Sequence, residues 1–138
     1  MVNIRPATLQ DAPALFGLAK DFATSFVVDE SSFQQSLTSL LFDRSAYLAV
    51  AEESIVIGYV LGFDRDTFFA NGRVSWVEEI MVRQDRRRAG IGRLLMESFE
   101  AWAKTRNSKL VALATRRAAT FYKALGYEES AAYFRKVL

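Results

Sequence analysis

The stretch "EEIMVRQDRRRAGIGRLLM" (residues 78–96) decides how the rest of the chain is interpreted. It runs from a β-rich segment, "VSWVEEIMV" (74–82), through a turn rich in arginine and glycine into an apolar helical pattern. Apolar residues three or four positions apart predict an amphipathic helix over residues 91–105. Gly90 and Gly92 lie between strand and helix, where the lack of a Cβ lets backbone approach a ligand closely.

The segment "RRAGIG" (residues 87–92), here named the glycine turn, has the properties of a phosphate site. The first amides of an α-helix have no partner within the helix and carry the positive end of its dipole. A pyrophosphate suits such amides. A nucleic-acid patch would place basic residues along one face with aromatics between them. Arginines in a turn before an apolar helix argue against that, and a solvated surface remains the other alternative.

The composition limits the chemistry that is available. The 138 residues are 51% hydrophobic and 25% charged, which suits a single globular domain over residues 1–138. The chain has no cysteine and no histidine, which excludes a thiol nucleophile, a Ser-His-Asp triad and a Cys/His zinc site, so we expect no metal. Acid–base work then falls to carboxylates, Tyr, Lys, backbone or water.

The charge and hydropathy patterns set expectations about partners and location. The net charge of +2 is too mild to indicate nucleic acid by itself, and we expect none as a partner. The start "MVNIRPATLQD" lacks the pattern of a signal peptide, and no apolar run is long enough to span a bilayer. We therefore expect a cytoplasmic protein without a membrane partner.

Periodicity and turn residues predict an α/β (α+β) chain with the order β-α-α-β-β-β-α-β-α-β. The β-α-β stretch over residues 74–115 implies a parallel crossover that places the glycine turn at the carboxyl end of a strand, where open α/β sheets bind ligands. The predicted strands are 2–5, 46–53, 54–63, 74–82, 109–115 and 131–138, with a short one near 127–129. Helices are predicted after Thr8 and Asp11 at capping-box spacing, after a Ser31 or Ser32 cap, over 91–105, and over 116–125 before a Gly126 cap.

Four segments, taken in order, resemble the GNAT superfamily of N-acetyltransferases over nearly the whole chain. They are "IRPATLQDAPAL" (4–15), "VIGYVLGF" (56–63), the stretch at 78–96 with its Arg/Gln-x-x-Gly-x-Gly/Ala pattern, and "AATFYKALGY" (118–127). The resemblance implies the GNAT fold, a mixed central sheet of six to seven strands flanked by four helices. It also implies an acyltransferase that moves acetyl from acetyl-CoA directly to an amine.

The resemblance implies where acetyl-CoA would bind. Amides from Arg88 to Arg93 would hold the pyrophosphate, backbone at Ile80 and Val82 would pair with the pantetheine arm, and the Val82 N–H would donate to the oxyanion. Arg88 stands where many members have glycine, and Thr115 where many have asparagine. The full set of implied coenzyme positions is Ile80, Met81, Val82, Arg87, Arg88, Ala89, Gly90, Ile91, Gly92, Arg93, Thr115 and Tyr122.

Two adjacent acids, Glu78 and Glu79, are the candidates for the catalytic base. Because they are consecutive on a strand, we expect them to point to opposite faces. Glu78 resembles the glutamate that opens the same strand in diamine-type acetyltransferases, and its task would be to take a proton from the amine. Glu79 is the alternative base, and a solvated strand-end glutamate is the alternative to either role.

Tyr122, within "TFYKALG", matches the tyrosine that protonates the departing thiolate in the family. The alternative is a tyrosine that only packs in the core, on an apolar helix face with Phe121 and Leu125.

The predicted loop "DRDTFFANGR" (64–73), with its Asn71-Gly72 turn, is a candidate wall of the acceptor site. Asp64 and Asp66 would attract a cationic amine, while Phe68, Phe69 and Trp76 would line the site or a homodimer contact. We expect a small-molecule amine as the acceptor. A protein or peptide amine, and a catalytically silent CoA-binding regulatory domain, stay open as alternatives.

Overall fold

The computed structural model describes residues 1–138, which form five strands and four α-helices. The strands are β1 (Asn3–Pro6), β2 (Ala46–Glu53), β3 (Ile55–Thr67), β4 (Gly72–Val82) and β5 (Val111–Leu113). The helices are α1 (Ala12–Phe22), α2 (Glu30–Phe42), α3 (Ile91–Thr105) and α4 (Ala119–Ala124), and single 3₁₀ turns lie at Leu9–Asp11 and Gln84–Arg86. None of the helices combines the length and apolar character that crossing a bilayer requires.

The strands form one mixed sheet in the order β1-β2-β3-β4-β5. The first four strands are antiparallel, and β5 pairs parallel to β4 after the crossover through α3. That parallel pairing joins only Ser75–Val77 to Val111–Leu113. After Val77 the two strands have no ladder between them, so the end of β4 is unpaired on this side.

The sheet separates two apolar cores. Ile57, Val60 and Phe99 belong to the core under α3 and α4, and all three are fully buried. Tyr59 and Leu37 belong to the core under α1 and α2. Because side chains alternate along a strand, neighbours on β3 feed opposite cores. Both faces of the sheet are therefore covered by helices.

Several predicted elements are confirmed. Helix α3 covers the predicted residues 91–105, and β2 and β3 form the predicted hairpin. The Thr8–Asp11 capping box is present, with the Thr8 N–H donating to the Asp11 carboxylate at 2.8 Å. Gly126 follows α4 with a φ of +95°, the left-handed conformation that helix ends favour in glycine.

The N-cap of α2 differs from the predicted one. The cap is Asp29, whose carboxylate accepts a hydrogen bond from the Ser32 N–H at 2.8 Å, and it is neither Ser31 nor Ser32. Both serines lie inside the first turn. Aspartate and serine are comparable caps, so the choice depends on which residue has extended backbone, and that is Asp29.

The predicted strands at 127–129 and 131–138 are absent, so the sheet has five strands and the last β of the predicted order is missing. The segment that follows Gly126 is held instead by side chains. The Tyr127 hydroxyl donates to Glu100 at 2.5 Å, and Arg135 donates to the Ser25 hydroxyl at 2.6 Å. An alternating pattern becomes a strand only with a partner for its backbone, and β5, at three residues, presents a short edge.

The region 64–73 is mostly strand, so the predicted loop is too long. β3 continues to Thr67 and β4 begins at Gly72, which leaves a tight turn around Asn71, with a φ of +58°. The predicted Asn71-Gly72 turn is therefore confirmed, while the residues on either side of it belong to the paired strands β3 and β4. The ladder continues from Asp64↔Ser75 to Thr67↔Gly72, so this polar segment is paired through its backbone.

Candidate active site

The end of β4 presents backbone groups to open space. In an antiparallel pair the N–H and C=O of one residue point to the same side, and successive residues alternate. The Arg83 N–H donates to the Ile57 carbonyl at 2.8 Å, so Arg83 and Met81 face β3. The backbone groups of Ile80 and Val82 therefore point the other way, into the gap between β4 and β5. Their N–H groups are free to bind a ligand.

The glycine turn follows this open edge directly. Gly90 is the N-cap of α3 with a φ of +81°, and Arg88 is also left-handed with a φ of +67°. The ladder of α3 begins with the Leu94 N–H donating to the Gly90 carbonyl at 3.2 Å, so the amides of Ile91 to Arg93 have no helical acceptor. A Cβ built on Gly90 meets no atom within 4 Å. The space beside Gly90, at the start of these unpaired amides, is therefore open.

The arginines around the turn differ in whether their charge is neutralised. Arg83 forms a two-point ion pair with Asp85, at 3.1 and 2.8 Å, and Arg86 pairs with Glu53. Arg87 donates to the Val82 carbonyl at 3.1 Å and has no carboxylate partner, and Arg88 has no partner at all. Arg87 and Arg88 are therefore the cations whose positive field is available to an anion.

A cavity of about 1760 Å³ joins these features to the other half of the molecule. Its turn side is formed by the glycine turn, the end of β4 and α4. Its loop side is formed by the α1–α2 loop (residues 23–29), α2, and the C-terminal segment. All the coenzyme positions expected from the sequence line this cavity except Ala89. The Ile91 side chain is buried in the core, so only its amide is available.

Glu78 and Glu79 lie on the same face of the sheet, which corrects the expectation of opposite faces. The register shifts between the pairs Leu61↔Glu79 and Gly62↔Val77, which makes Glu78 the extra residue of a β-bulge. Val77 and Ile80 on either side both pack in the α3/α4 core, so both carboxylates point toward α2. Sequence alternation alone does not reveal a bulge.

The two carboxylates differ in their surroundings. Glu79 accepts a hydrogen bond from the Tyr59 hydroxyl at 2.7 Å. Burial raises the pKa of Glu79, the charge of Glu78 raises it further, and the Tyr59 hydrogen bond opposes both. Glu78 is exposed to the cavity and has no hydrogen-bond partner. Glu78 is therefore the carboxylate that is free to act on a bound ligand.

Tyr122 is both a core residue and a cavity residue. Its ring is only 7% exposed and packs edge-on against Phe121 and Tyr127, with centroids 4.9 and 5.9 Å away. The Tyr122 hydroxyl has no hydrogen-bond partner within the protein. Every fully buried polar side-chain atom does have a partner, so the Tyr122 hydroxyl is not fully buried and reaches the cavity that Tyr122 lines. Burial raises the pKa of Tyr122, which keeps the phenol protonated.

The sequence of residues 13–127 matches the sequence model of the Acetyltransferase (GNAT) family. The chain belongs to the GNAT acetyltransferase family. Comparison with curated protein sequences gives no significant match.

Solved structures share the GNAT fold over whole chains at low identity. A transcriptional regulator from Bacillus halodurans C-125 has a TM-score of 0.92 at 21% identity, with 100% of both chains covered. Glucosamine-6-phosphate N-acetyltransferase from Arabidopsis thaliana has a TM-score of 0.88 at 17% identity, covering 99% of this chain and 98% of that one. An aminoglycoside 6′-N-acetyltransferase from Acinetobacter haemolyticus has a TM-score of 0.78 at 23% identity, with 99% of each chain covered.

Two of the predicted coenzyme positions in this GNAT domain, Thr115 and Gly92, also stabilise the fold around α4. The Thr115 hydroxyl accepts a hydrogen bond from the Ala118 N–H at 3.0 Å, which fixes the start of α4. A Cβ on Gly92 would lie 3.2 Å from the Phe121 ring, so Gly92 lets α3 and α4 pack closely. The second glycine of the motif therefore serves packing as well as backbone access.

The acidic residues of the region 64–73 do not reach the cavity, contrary to expectation. The Asp64 side chain is fully buried and pairs with Arg106, at 3.1 Å through Nη2, and with Arg73 at 3.3 Å. Asp66 is 87% exposed near the tip of the β3–β4 hairpin. The reason is that β3 continues to Thr67, which carries these carboxylates away from the glycine turn.

The aromatic residues of the same region are divided between the tip and the cavity. Phe68 and Phe69 are exposed at the hairpin tip, whereas Trp76 lines the cavity. A further wall, which the sequence pattern does not predict, comes from the α1–α2 loop and the C-terminal segment. Its signal is the run "ATSFVV" (23–28), whose apolar residues fit neither the predicted helices nor the predicted strands.

Proposed function

We propose that the chain is an N-acetyltransferase that moves acetyl from acetyl-CoA to a primary amine of a small molecule. Transfer occurs by direct attack in a ternary complex. The single observation that carries the proposal is one cavity that holds four features together. These are the unpaired edge of β4, the open amides of the glycine turn, the free carboxylate of Glu78 and the protonated phenol of Tyr122.

The turn side of the cavity suits acetyl-CoA as a cosubstrate. Amides from Arg88 to Arg93 point at the pyrophosphate, and the helix dipole of α3 adds to their positive potential. The backbone groups of Ile80 hydrogen-bond the pantetheine arm, in the way that an added strand extends a sheet, while Val82, whose carbonyl accepts from Arg87, offers its N–H. The charges of Arg87 and Arg88 strengthen binding of the phosphates.

Groups of the chain itself then accept the proton, stabilise the negative charge and donate the proton that the transfer requires. Glu78 takes a proton from the bound ammonium, directly or through a water, because only the free amine is a nucleophile. The Val82 N–H donates to the thioester oxygen as negative charge develops there. Tyr122 donates its proton to the leaving thiolate. Glu79 is the alternative base, but its hydrogen bond to Tyr59 makes it less available.

The small-molecule acceptor is supported by the concave, largely apolar lining of the loop side. Two of the structurally similar proteins are named for small-molecule amines, an aminoglycoside and glucosamine-6-phosphate. A protein or peptide amine and a silent coenzyme-binding domain are outcomes of the test below.

The test combines acetyl-CoA binding with a screen for transfer. Thermal unfolding with and without acetyl-CoA measures binding, and release of the CoA thiol measures transfer across small amines, aminoglycosides, amino acids and peptide N-termini. We expect stabilisation by acetyl-CoA and thiol release with a small amine. No stabilisation contradicts the proposal, stabilisation without release indicates a silent domain, and release only with peptides indicates a protein acetyltransferase.

A further inference from the structure

The loop side of the cavity is apolar and only partly covered. Phe22, Phe26 and Tyr133 line it and remain 37%, 67% and 61% exposed. Phe33 and Leu40 of α2 line the same side. Large apolar side chains left exposed around one concavity are typical of a binding site, since a protein without a ligand there leaves them in water.

This apolar wall is made by two segments that contact each other. Arg135 of the C-terminal segment donates to the Ser25 hydroxyl of the α1–α2 loop at 2.6 Å. Behind the wall, Phe33 packs against Phe16 with ring centroids 5.3 Å apart, which holds Phe33 in place. The loop side is therefore a concave apolar surface whose two covering segments are joined by a hydrogen bond.

The acidic groups on the loop side are few. Glu78 has no partner, Glu79 is held by Tyr59, and the Asp29 carboxylate is used by the Ser32 N–H at 2.8 Å. The cation Arg135 lines the same side. The additional ammonium groups of a polycationic ligand would meet mainly Phe and Leu side chains and the like charge of Arg135, which disfavours such a ligand.

We propose that the acceptor is a primary amine on a compact apolar body, an arylalkylamine or alkylamine with a single positive charge. The inference rests on the proposed acetyl-transfer function. The ammonium group binds Glu78 beside the thioester, and the apolar body packs against Phe26 and Phe33. Polyamines and aminoglycosides are poor acceptors because their further polar and charged groups would lie against the apolar side chains of Phe26 and Phe33.

The experiment compares 2-phenylethylamine with ethylamine and spermidine in steady-state transfer, using wild type, Phe26→Ala and Phe68→Ala. Phe68 is equally an exposed phenylalanine, but it lies at the hairpin tip outside the cavity, so it is the matched control. We expect kcat/KM for 2-phenylethylamine to exceed that for spermidine by about tenfold or more. Phe26→Ala removes about tenfold of kcat/KM for 2-phenylethylamine and little for ethylamine, and Phe68→Ala changes neither.

Binding of acetyl-CoA is measured by calorimetry on the same three proteins. It distinguishes a failure of the proposed acetyl transfer from a failure of the proposed acceptor class. No binding and no transfer to any amine overturns acetyl transfer itself. Normal binding with a preference for spermidine, an aminoglycoside or a peptide overturns the acceptor class and leaves acetyl transfer standing. The acceptor class is also overturned if Phe26→Ala transfers to 2-phenylethylamine as well as wild type does.

Discussion

Glu78 and Glu79 are adjacent in the chain and share a face of the sheet, yet only Glu78 lacks a partner. We expect Glu78→Gln to lower kcat at neutral pH by about 10²- to 10⁴-fold, because general-base catalysis contributes that much. The loss should shrink as the pH rises, since more of the amine is then already deprotonated. Acetyl-CoA affinity should not change, because the carboxylate lies on the loop side.

The comparison variant for Glu78→Gln is Glu79→Gln, which keeps an oxygen to accept the Tyr59 hydrogen bond. Its kcat should fall much less at neutral pH. A pH–rate profile of both variants decides the assignment. Wild-type activity of Glu78→Gln at neutral pH would exclude Glu78, and a large loss in Glu79→Gln would transfer the role to Glu79.

Tyr122 has its ring in the core and its hydroxyl at the cavity, so removing only the oxygen isolates the chemical role. We expect Tyr122→Phe to reduce kcat with little change in the dissociation constant of acetyl-CoA or in the thermal unfolding midpoint. The physical reason is that the leaving thiolate loses its proton donor while the packing is kept. Undiminished kcat would leave Tyr122 with a packing role alone.

At the scale of elements, the glycine turn and α3 form the proposed coenzyme site, and Gly90 tests it. Gly90 and Gly126 are both left-handed, with φ of +81° and +95°, and a Cβ on either meets no atom of the protein. Alanine at each position should therefore destabilise the fold by a similar amount, about 1–2 kcal/mol. Gly90→Ala should in addition weaken acetyl-CoA binding severely, because its Cβ enters the space of the phosphate.

The control for Gly90→Ala is Gly126→Ala, which lies after α4 and away from the glycine turn. Calorimetric titration of acetyl-CoA into both variants, with their stabilities measured by denaturant, separates backbone strain from ligand contact. Equal coenzyme affinity in the two variants would refute a pyrophosphate at the glycine turn.

How far the sequence predicts an element depends on whether its information is local. The sequence predicts helix α3 over 91–105 because the apolar spacing and the glycine boundary involve only neighbouring residues. The bulge at Glu78 depends on the partner strand β3, so strand alternation put the two glutamates on opposite faces. The segment 131–138 has strand-like alternation but no partner, so its pattern overpredicted the sheet. A local sequence pattern does not specify which distant strand, if any, pairs with a segment.

The same distinction between local and long-range information applies to the candidate site. The turn side comes from the contiguous motif at 78–96 together with Thr115 and Tyr122, and every expected position except Ala89 lies at the cavity. The loop side is assembled from the α1–α2 loop and the C-terminal segment, which are far apart in the chain. For that reason Phe26 and Tyr133 were missed, and Asp64 was assigned to a site that it does not reach.

At the scale of the whole molecule, the buried Asp64 ties the sheet to the end of α3 through Arg73 and Arg106. Burial by itself raises the pKa of Asp64, but the two arginines outweigh it and hold the pKa below its usual value. The stability from this group is therefore present above the ordinary carboxyl pKa and is lost as the pH falls below about 4. Asp64→Asn should cost about 2–3 kcal/mol at neutral pH.

The matched control is Asp66→Asn, because Asp66 is 87% exposed and 3.9 Å from Arg73. Its effect on the free energy of unfolding should be close to zero. Denaturant unfolding at neutral and acidic pH measures both variants. The difference between wild type and Asp64→Asn should narrow in acid; a difference that stays constant with pH would show that the carboxylate charge is not what stabilises the fold.

The central claim is that the open edge of β4 and the glycine turn together bind acetyl-CoA. The most direct measurement is amide chemical-shift mapping by NMR on isotopically labelled protein titrated with acetyl-CoA. We predict the largest shifts at the amides of Ile80, Val82 and Gly90 to Arg93, with none at the hairpin tip around Phe68. Saturable shifts confined to other parts of the chain, or no shifts at millimolar acetyl-CoA, would contradict the account.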